Sequence, residues 1–457
     1  GKGHGRPGSS KQHMNVVRKS HRYTHRTSYK PGHVSPRSMY AIRASVPAHA
    51  RSTLKAWKRT SPRTKALQER ERADAAQAAE KGSALAEKYG QKERDAYGKT
   101  AEARRLLGVR SEQAIQKEID LRVALHKTPI ETIYFGGGTP SILDPQQIEN
   151  LLNKINDSYH VSMDAEITLE ANPGSVESAN FASYAASGVN RISLGIQSFN
   201  DEHLSRLGRI HRAEEARKAI KLAKHYFPKV NIDLMYALPG QTPSQALSDL
   251  QEALSYDTGH LSLYHLTIEP NTYFAKFPPT IPDEDTAYDM QDQLLEELNK
   301  HGYARYEISA FAKPNARCQH NVNYWAFGDY LGIGAGAHGK ISSANQILRT
   351  VKERHPETYL KNIYSPSKAL IEERVVQGSE LPFEFMLNAL RLIDGVPSHY
   401  FADRTGVEIT QILPQMNLAI EKGLLENNLQ QLQATALGLQ FLNDLQEIFL
   451  DEPDLGE

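Results

Sequence analysis

The fold is decided by the stretch Thr132-Ile133-Tyr134-Phe135-Gly136-Gly137-Gly138-Thr139-Pro140. Its first part predicts a short buried β-strand, because β-branched and aromatic residues suit a covered, pleated surface. The three glycines allow a sharp turn and a close approach of the backbone to a ligand. The stretch lacks the Lys-Ser/Thr pair of a Walker phosphate loop and the spaced third glycine of a dinucleotide-binding loop. Taken alone, it is more typical of a tight strand-to-helix turn than of a ligand site.

Strands and helices alternate around this stretch. A helix is predicted at 112–125, and Asp144 followed by Pro145 is typical of the first turn of another. Further strands are predicted at 166–170, 191–196, 231–236 and 260–268, and further helices at 176–186, 213–226, 244–256 and 283–301. This alternation predicts a parallel sheet with helices on its outer face. Its length suggests one partial or full β/α barrel, in which active sites form at the C-terminal ends of the strands.

Polar residues recur at these strand ends. The glycine turn, residues 136–139, ends one strand, Glu170 ends the next and Gln197 ends the third, while Asp233 lies in the fourth. Any one of them could be a helix cap or a satisfied polar group of the core. Four at one level of successive strands are expected to face a common ligand pocket.

A second region, rich in polar, aromatic and glycine residues, spans residues 317–339 and contains Cys318 and His320. A lone Cys-x-His pair is too small for a zinc site of its own. Either side chain could supply an axial ligand to haem iron. The spacing by itself favours a packed loop with a buried cysteine.

The residues after about 382 become helical again. Helices are predicted at 384–392, 409–421 and 437–450, with a small hairpin near Gly423-Leu424-Leu425. This pattern suggests a winged-helix-like accessory domain. A role in covering the barrel is favoured over DNA binding, because this part of the chain is not basic.

The composition divides the chain into a basic beginning and an acidic body. Of the 54 basic residues 16 precede Glu69, whereas none of the 54 acidic residues does, so the rest carries 38 basic against 54 acidic residues, a net −16. Such segregation is typical of a tail with a separate role. Residues 1–63 are predicted to be a disordered basic arm, and residues 64–111 an exposed helical connector rich in Ala, Glu and Lys. The arm could contact RNA or DNA phosphates or be a solvated tail, and the two are equally compatible with it.

Length and cysteine usage set further limits. A chain of 457 residues has room for two or three domains. No apolar run is long enough for a membrane span, which predicts a soluble protein. Cys318 is the single cysteine, so an intrachain disulfide is excluded. This cysteine usage fits a reducing compartment and a cytoplasmic location.

Residues from about 112 to 450 resemble the radical S-adenosylmethionine proteins of the oxygen-independent coproporphyrinogen III oxidase group, with the closest similarity to its haem-chaperone branch. The stretches that carry the resemblance are Gly136-Gly137-Gly138-Thr139-Pro140, Leu169-Glu170-Ala171-Asn172-Pro173-Gly174, Asn190-Arg191-Ile192-Ser193-Leu194-Gly195-Ile196-Gln197-Ser198-Phe199, Leu207-Gly208-Arg209 and His320-Asn321-Val322-Asn323-Tyr324-Trp325. In this order and spacing they form a specific set.

The resemblance implies a radical-SAM-type partial β/α barrel over 112–345 and a mostly helical accessory domain over 346–457. It implies that Gly137, Gly138 and Thr139 hold the amino group of S-adenosylmethionine. The rest of that ligand would be surrounded by Glu170, Gln197, Arg209 and Asp233. A guanidinium suits the carboxylate of this ligand, and carboxylates suit its ribose hydroxyls. The His-Asn-x-x-Tyr-Trp stretch is associated with haem in the chaperone branch, which implies that His320 and Cys318 are iron ligands.

One departure from the family is large. The first strand of the family ends in a Cys-x3-Cys-x2-Cys loop that holds a [4Fe–4S] cluster, but this sequence has no cysteine before Cys318. The basic arm and the connector occupy that place. The chain is therefore expected to lack both the cluster and the radical chemistry that depends on it.

Three explanations are compatible with this departure. The favoured one is a haem chaperone-like protein with a foreign N-terminal stretch, which binds haem and S-adenosylmethionine without radical catalysis and serves a haem-acceptor protein. The rival is a natural pseudoenzyme that residues 1–68 recruit to RNA. The missing cysteines argue against the third, an active oxidase.

Overall fold

The computed structural model describes residues 101–122, 128–137, 140, 143–268, 273–343, 346–363 and 370–450. The predicted arm, residues 1–63, and the connector up to residue 100 lie outside the described residues. The first described element is helix α1, Ala101–Arg122, which runs across the predicted boundary between residues 111 and 112. No helix in the described ranges is long and apolar enough to cross a bilayer.

A seven-stranded sheet forms the larger part of the described chain. Its strands are β1 Ile130–Phe135, β2 Val161–Ala171, β3 Arg191–Gln197, β4 Lys229–Tyr236, β5 Gly259–His265, β6 Ala304–Arg305 and β7 Ala310–Ala312. The helices between them are α2 Pro145–Ser158, α3 Ser175–Ser178, α4 Phe181–Ala186, α5 Asp201–Arg206, α6 Ala213–Tyr226, α7 Pro243–Ser255, α8 Tyr273–Lys276 and α9 Glu284–Lys300.

The sheet order is β1-β2-β3-β4-β5-β7-β6. Strands β1 to β5 are parallel neighbours, and β7 pairs antiparallel with both β5 and β6. The predicted parallel sheet with alternating helices is confirmed. Within the described residues the sheet remains open, because β1 pairs on one side only and β6 is the other edge.

The strands alternate between an apolar and a polar face. Leu169, Ile192 and Ile232 are fully buried against the helices in the main hydrophobic core. The residues between them along each strand point to the opposite, inner face, because successive side chains of a strand alternate. Polar side chains on that inner face include Glu166, Arg191, Ser193, Asn231 and His260, all of them buried. The inner face therefore carries the polar groups of the barrel.

Helices α2, α3, α6, α7 and α9 begin within one residue of their predicted starts, whereas α1 begins at Ala101 and not at residue 112. Asp144 accepts a hydrogen bond from the Gln147 N–H at 2.9 Å, and Pro145 occupies the first turn of α2. The helix predicted at 176–186 is in fact two short helices, α3 and α4, separated at Ala179 and Asn180. Asn180 has φ −94° and ψ −2° and begins the second of them.

The C-terminal part contains a sheet that the sequence did not predict. The strands of the C-terminal part are β8 His338–Ser343, β9 Gln346–Lys352, β10 Leu370–Val375, β11 Val396–Pro397 and β12 Gln431–Leu432. Its helices are α10 Gln319–Trp325, α11 Pro356–Asn362, α12 Leu381–Ala389, α13 His399–Thr405, α14 Leu413–Glu421, α15 Ala436–Gln440 and α16 Leu442–Glu447, with 3₁₀ turns at Gly378–Glu380 and Ile409–Ile412. Strands β8, β9 and β10 form an antiparallel sheet. This sheet crosses the predicted domain boundary at residue 345.

The helical end of the chain combines short helices with a small antiparallel pairing. The predicted helix at 437–450 is divided into α15 and α16. Strands β11 and β12 pair antiparallel although more than thirty residues separate them in sequence. Near the predicted hairpin, Leu425 forms a single bridge with Ala434. These helices and strands pack around their own hydrophobic core.

A buried ion pair joins α1 to the C-terminal sheet. Glu118 and Lys352 contact each other, and the side chain of each is 1% exposed. The Glu118 carboxylate also accepts hydrogen bonds from the Tyr359 hydroxyl at 2.7 Å and the Gly334 N–H at 2.9 Å. Burial lowers the pKa of Lys352, whereas Glu118 raises it. One carboxylate thus connects α1 to β9, α11 and the glycine-rich loop before β8.

We expect the Lys352→Met substitution to lower the free energy of unfolding by about 3 kcal/mol, because it removes the closer cation from a buried carboxylate and leaves it with Arg122, whose Nε lies 4.0 Å away. Urea unfolding followed by circular dichroism measures the change. The double variant Glu118→Gln/Lys352→Met removes both charges and should recover most of the loss. Lys300→Met, which removes an exposed ion pair with Glu296, should cost less than about 1 kcal/mol. Equal losses in the single and double variants would show that the charge pair is not the cause.

Candidate functional site

A row of polar side chains crosses the inner face of the sheet, from the C-terminal end of β2 to the N-terminal end of β5. Glu170 of β2 is level with Ser193 of β3, which is level with Asn231 of β4 and, beyond it, His260 of β5. The sequence prediction placed Glu170 and Asp233 at one level, but Asp233 lies two residues farther along β4 than Asn231. The stagger between neighbouring strands sets this offset, and strand boundaries in the sequence do not reveal it.

Hydrogen bonds connect the row into one network. The Asn231 amide donates to Ser193 Oγ at 2.8 Å and to Asp233 Oδ1 at 2.7 Å, and Ser193 Oγ donates to Asp233 Oδ2 at 3.1 Å. His260 contacts Asn231 Oδ1 through Nδ1 at 2.6 Å and the Tyr306 hydroxyl through Nε2 at 2.8 Å. Burial raises the pKa of Asp233, while these donors lower it. The network fixes the Asp233 carboxylate at the inner face.

The glycine turn is held against Glu170. The Gly137 N–H donates to Glu170 Oε2 at 3.0 Å, and the Tyr134 hydroxyl donates to Glu170 Oε1 at 2.6 Å. A Cβ at Gly136 would lie 2.3 Å from the Tyr134 ring, and Gly137 has φ +77°, a conformation that favours glycine. The Tyr134 ring at Gly136 and the positive φ at Gly137 thus favour glycine at both positions. Gly138 and Thr139 lie outside the described residues.

Gln197 and Arg209 lie in the segment that connects β3 to α6, one before helix α5 and one after it. Gln197, at the end of β3, has φ +68°, which is unusual for a residue with a side chain. Asp249 of α7 holds the loop just after it, because it accepts hydrogen bonds from Ser198 Oγ at 2.6 Å and the Phe199 N–H at 2.8 Å. Burial raises the pKa of Asp249 to about 6. Arg209 lies on the exposed turn after α5.

A buried carboxylate attaches α10 to the sheet. Glu166 Oε1 accepts hydrogen bonds from Cys318 Sγ and from the His320 N–H, each at 3.3 Å, and Glu166 Oε2 accepts one from Lys229 Nζ at 3.1 Å. The Glu166 side chain is completely buried. These contacts place the first turn of α10 across the inner face of β1 and β2.

His320 is oriented by two residues of β1. Its Nδ1 lies 3.1 Å from Thr132 Oγ1, and its ring stacks on that of Tyr134 with centroids 4.6 Å apart. Burial lowers the pKa of His320 to about 4, although Glu166 opposes the shift. The imidazole is therefore neutral near pH 7, as a metal ligand must be.

A cleft of about 280 Å³ lies beside His320, and mainly aromatic side chains line it. The lining residues are Tyr134, Tyr264, Glu307, Ser309, His320, Asn321, Tyr324, Trp325 and Arg391. Tyr264 at its mouth is 43% exposed. The cleft is thus open to solvent, with flat apolar walls and a few polar groups, which is typical of a site for an aromatic ligand.

The structure places Cys318 and His320 in different surroundings. Cys318 has no exposed surface, does not line the cleft and donates its S–H to Glu166. Burial raises the pKa of its thiol to about 11, so the thiolate that binds metals is disfavoured. Among the residues that the structure describes, no three His, Cys, Asp or Glu side chains are grouped to hold a metal ion.

Sequence reasoning missed several residues of this region. Glu166 and Arg191 look like ordinary strand residues, and their burial on the polar face becomes apparent only once β1 to β5 are aligned. Glu307 and Arg391 lie far from the recognised stretches and reach the cleft through the tertiary fold. For Glu166, the alternation of polar and apolar residues along β2 was a usable signal. For Arg391, the sequence carries none.

Two protein families match the chain: the radical SAM superfamily over residues 93–253 and the HemN C-terminal domain over residues 376–441. Proteins named "Heme chaperone HemW" are 46% identical over 325 residues in Escherichia coli (strain K12) and 45% identical over 331 residues in Haemophilus influenzae. These alignments cover 71% and 72% of this chain and 85% of each relative. Coproporphyrinogen III oxidase (HemN) from Escherichia coli, a radical SAM enzyme, has a similar fold, with a TM-score of 0.64 at 21% identity over 75% of this chain and 83% of that chain.

We expect Cys318 to resist alkylation in the folded protein, because its thiol is buried and its pKa is raised to about 11. Iodoacetamide labelling at about pH 8, followed by mass spectrometry, should proceed at least about a hundredfold more slowly in the native protein than in concentrated urea. The single cysteine makes the assignment unambiguous. Fast labelling of the native protein would mean that the thiol is accessible and would restore it as a possible iron ligand.

Proposed function

The chain belongs to the radical SAM family whose members are named heme chaperone HemW, and from that membership we propose that it binds haem in the cleft beside α10 and S-adenosylmethionine at the strand ends. A haem-acceptor protein then takes the haem from the open side of the cleft. The single cysteine fits a reducing compartment such as the cytoplasm.

The orientation of His320 is the observation that carries the haem proposal. When Nδ1 carries the proton and donates to Thr132 Oγ1, Nε2 is left with its lone pair free for iron. No other hydrogen bond to this ring is found among the described residues. The stack on Tyr134 fixes the ring plane. The imidazole is thus neutral and positioned before the ligand arrives, which reduces the entropy lost on binding.

The walls of the cleft suit a porphyrin. Tyr324 and Trp325 of α10 and Tyr264 of β5 offer flat apolar surface to a macrocycle. The exposed position of Tyr264 leaves one side of the cleft uncovered. A haem carrier needs such a side, because its ligand must be released to another protein rather than sealed in.

The strand ends suit S-adenosylmethionine. Glu170 and Asp233 offer carboxylates to ribose hydroxyls, and Gln197 extends the polar surface at the end of β3. The glycine turn allows backbone groups of Gly137, Gly138 and Thr139 to approach the amino group of the ligand. Arg209, on its exposed turn, is the cation that would approach the carboxylate of the ligand.

The residues present do not fit a [4Fe–4S] cluster. Clusters of this kind use several cysteine thiolates, whereas the whole sequence contains one cysteine and burial keeps its thiol protonated. We therefore derive no radical step for this chain, and we propose that it acts as a binding protein. The rival function as an RNA-associated pseudoenzyme gains no support, because the arm on which it depends lies outside the described residues.

We expect wild-type protein to shift and sharpen the Soret band of haemin, and the His320→Ala variant to lose this shift together with at least about tenfold in affinity, the effect of one strong polar interaction. Because the pKa of His320 is lowered to about 4, the neutral imidazole persists as the pH falls. Ligation should thus survive at pH 5.5 and be lost only as the pH approaches about 4, whereas an ordinary histidine protonates near 6.5.

His225→Ala is the matched control for this experiment, since it removes an exposed imidazole at the end of α6. It should leave the haemin spectrum and affinity unchanged. A His320→Ala variant with the wild-type spectrum would overturn the proposed ligand. A midpoint near pH 6.5 in the wild type would show that the ring is not buried as described.

We expect Glu170→Gln to weaken S-adenosylmethionine binding at least about tenfold in isothermal titration calorimetry, because it removes a charged acceptor at the strand ends. Glu202→Gln is the control, since Glu202 forms an exposed ion pair with Arg206 on α5. Iron and sulfide counts after anaerobic reconstitution should stay well below one cluster per chain. A stoichiometric cluster would reveal ligands that the cysteine content does not provide. Equal affinities of Glu170→Gln and Glu202→Gln for S-adenosylmethionine would show that Glu170 is not part of the site.

A further inference from the structure

Arg391 lines the cleft with one of its buried donors left unpaired by the residues that the structure describes. Its guanidinium lies 4.3 Å from the centre of the Trp325 ring, a cation–π contact that orients it. Its buried Nε has no hydrogen-bond partner among the described residues. Of the described residues that line the cleft, Arg391 alone carries a fixed positive charge.

The negative charge of Glu307 does not fully compensate for the burial of the Arg391 guanidinium. Glu307 also lines the cleft and raises the pKa of Arg391, but burial lowers that pKa by more. Burial likewise raises the pKa of Glu307, whose Oε1 is already bonded to the Ser309 N–H at 3.0 Å. No ion pair joins Arg391 to a carboxylate in the described part of the chain. A buried guanidinium donor left without an acceptor is costly, and a carboxylate supplied by a ligand would satisfy it.

Neighbouring arginines differ from Arg391. Arg305 donates through Nε and one terminal nitrogen to the Ile308 carbonyl at 3.1 and 2.6 Å. Arg317 forms an ion pair with Asp394 at 2.5 Å. Both therefore have strong acceptors within the protein. Arg391 is the arginine that the fold leaves available inside the cleft.

We propose that Arg391 binds a carboxylate of the ligand in the cleft, a propionate group of the porphyrin. The inference rests on the proposed haem-binding function and adds the group that recognises the acidic edge of the macrocycle. His320 and Trp325 lie five residues apart on α10, about 7.5 Å along the helix axis. A ligand as wide as a porphyrin can thus contact the imidazole and the guanidinium together. Arginine suits this task because its planar fork matches both oxygens of a carboxylate.

The test uses metal-free protoporphyrin IX and its dimethyl ester, which share the ring but not the charge. Both are titrated in the same detergent by fluorescence, so that iron ligation by His320 plays no part. The wild type should bind the diacid at least about tenfold more tightly than the ester, the effect of a charge-assisted hydrogen bond. The Arg391→Gln variant should lose that preference, and Arg391→Lys, which keeps the charge but not the fork, should retain part of it.

Arg404→Gln is the matched control. Arg404 also stacks on an aromatic ring, that of Tyr400 at 4.0 Å, but it does not line the cleft. It should leave the preference for the diacid unchanged. Thermal unfolding of each variant shows whether the protein still folds without the stack on Trp325. The comparison of the two porphyrins in the wild type does not depend on any variant.

The outcomes separate this inference from the proposed function. Equal binding of diacid and ester by the wild type, or an unchanged preference in Arg391→Gln, would overturn the role of Arg391 while leaving haem binding intact. Failure of the wild type to bind either porphyrin or haemin would overturn the proposed function, and this inference with it. A preference that disappears in Arg391→Gln but persists in His320→Ala would support the assignment directly.

Discussion

The buried carboxylate of Glu166 is the constraint on which the site depends. It lies on the inner face of β2 and accepts hydrogen bonds from α10 and from Lys229 of β4. A carboxylate without these partners would be costly at this depth, so the first turn of α10 is held against the sheet. The position of His320, and with it one wall of the cleft, follows from that attachment. Cys318 takes part in the same contact, which accounts for its burial.

Tyr134 connects the two proposed ligand sites. Its hydroxyl donates to Glu170 at the strand ends, while its ring stacks on His320 in the cleft. Burial, followed by the charge of Glu170, raises the pKa of Tyr134 well above its ordinary value, so the hydroxyl remains a donor. A ligand that forms hydrogen bonds with the Glu170 carboxylate therefore affects Tyr134, whose ring orients the His320 imidazole. This single side chain gives the strand ends and the cleft a direct physical connection.

The polar groups of the inner face are held together by their own hydrogen bonds. Asn231, Ser193 and Asp233 satisfy one another through hydrogen bonds. Such mutual satisfaction is what allows polar groups to remain inside a barrel.

The sequence by itself determined the parallel sheet, its helices and the polar strand ends, because the periods of two and 3.6 residues and the helix caps are local. It also determined that the chain cannot supply three thiolates. Only the tertiary structure separated His320 from Cys318, since both lie in one short stretch and differ in whether they face the cleft or Glu166. The sheet formed by β8 to β10 and the arrival of Arg391 in the cleft were equally beyond the sequence. They depend on contacts between distant residues, which no local spacing specifies.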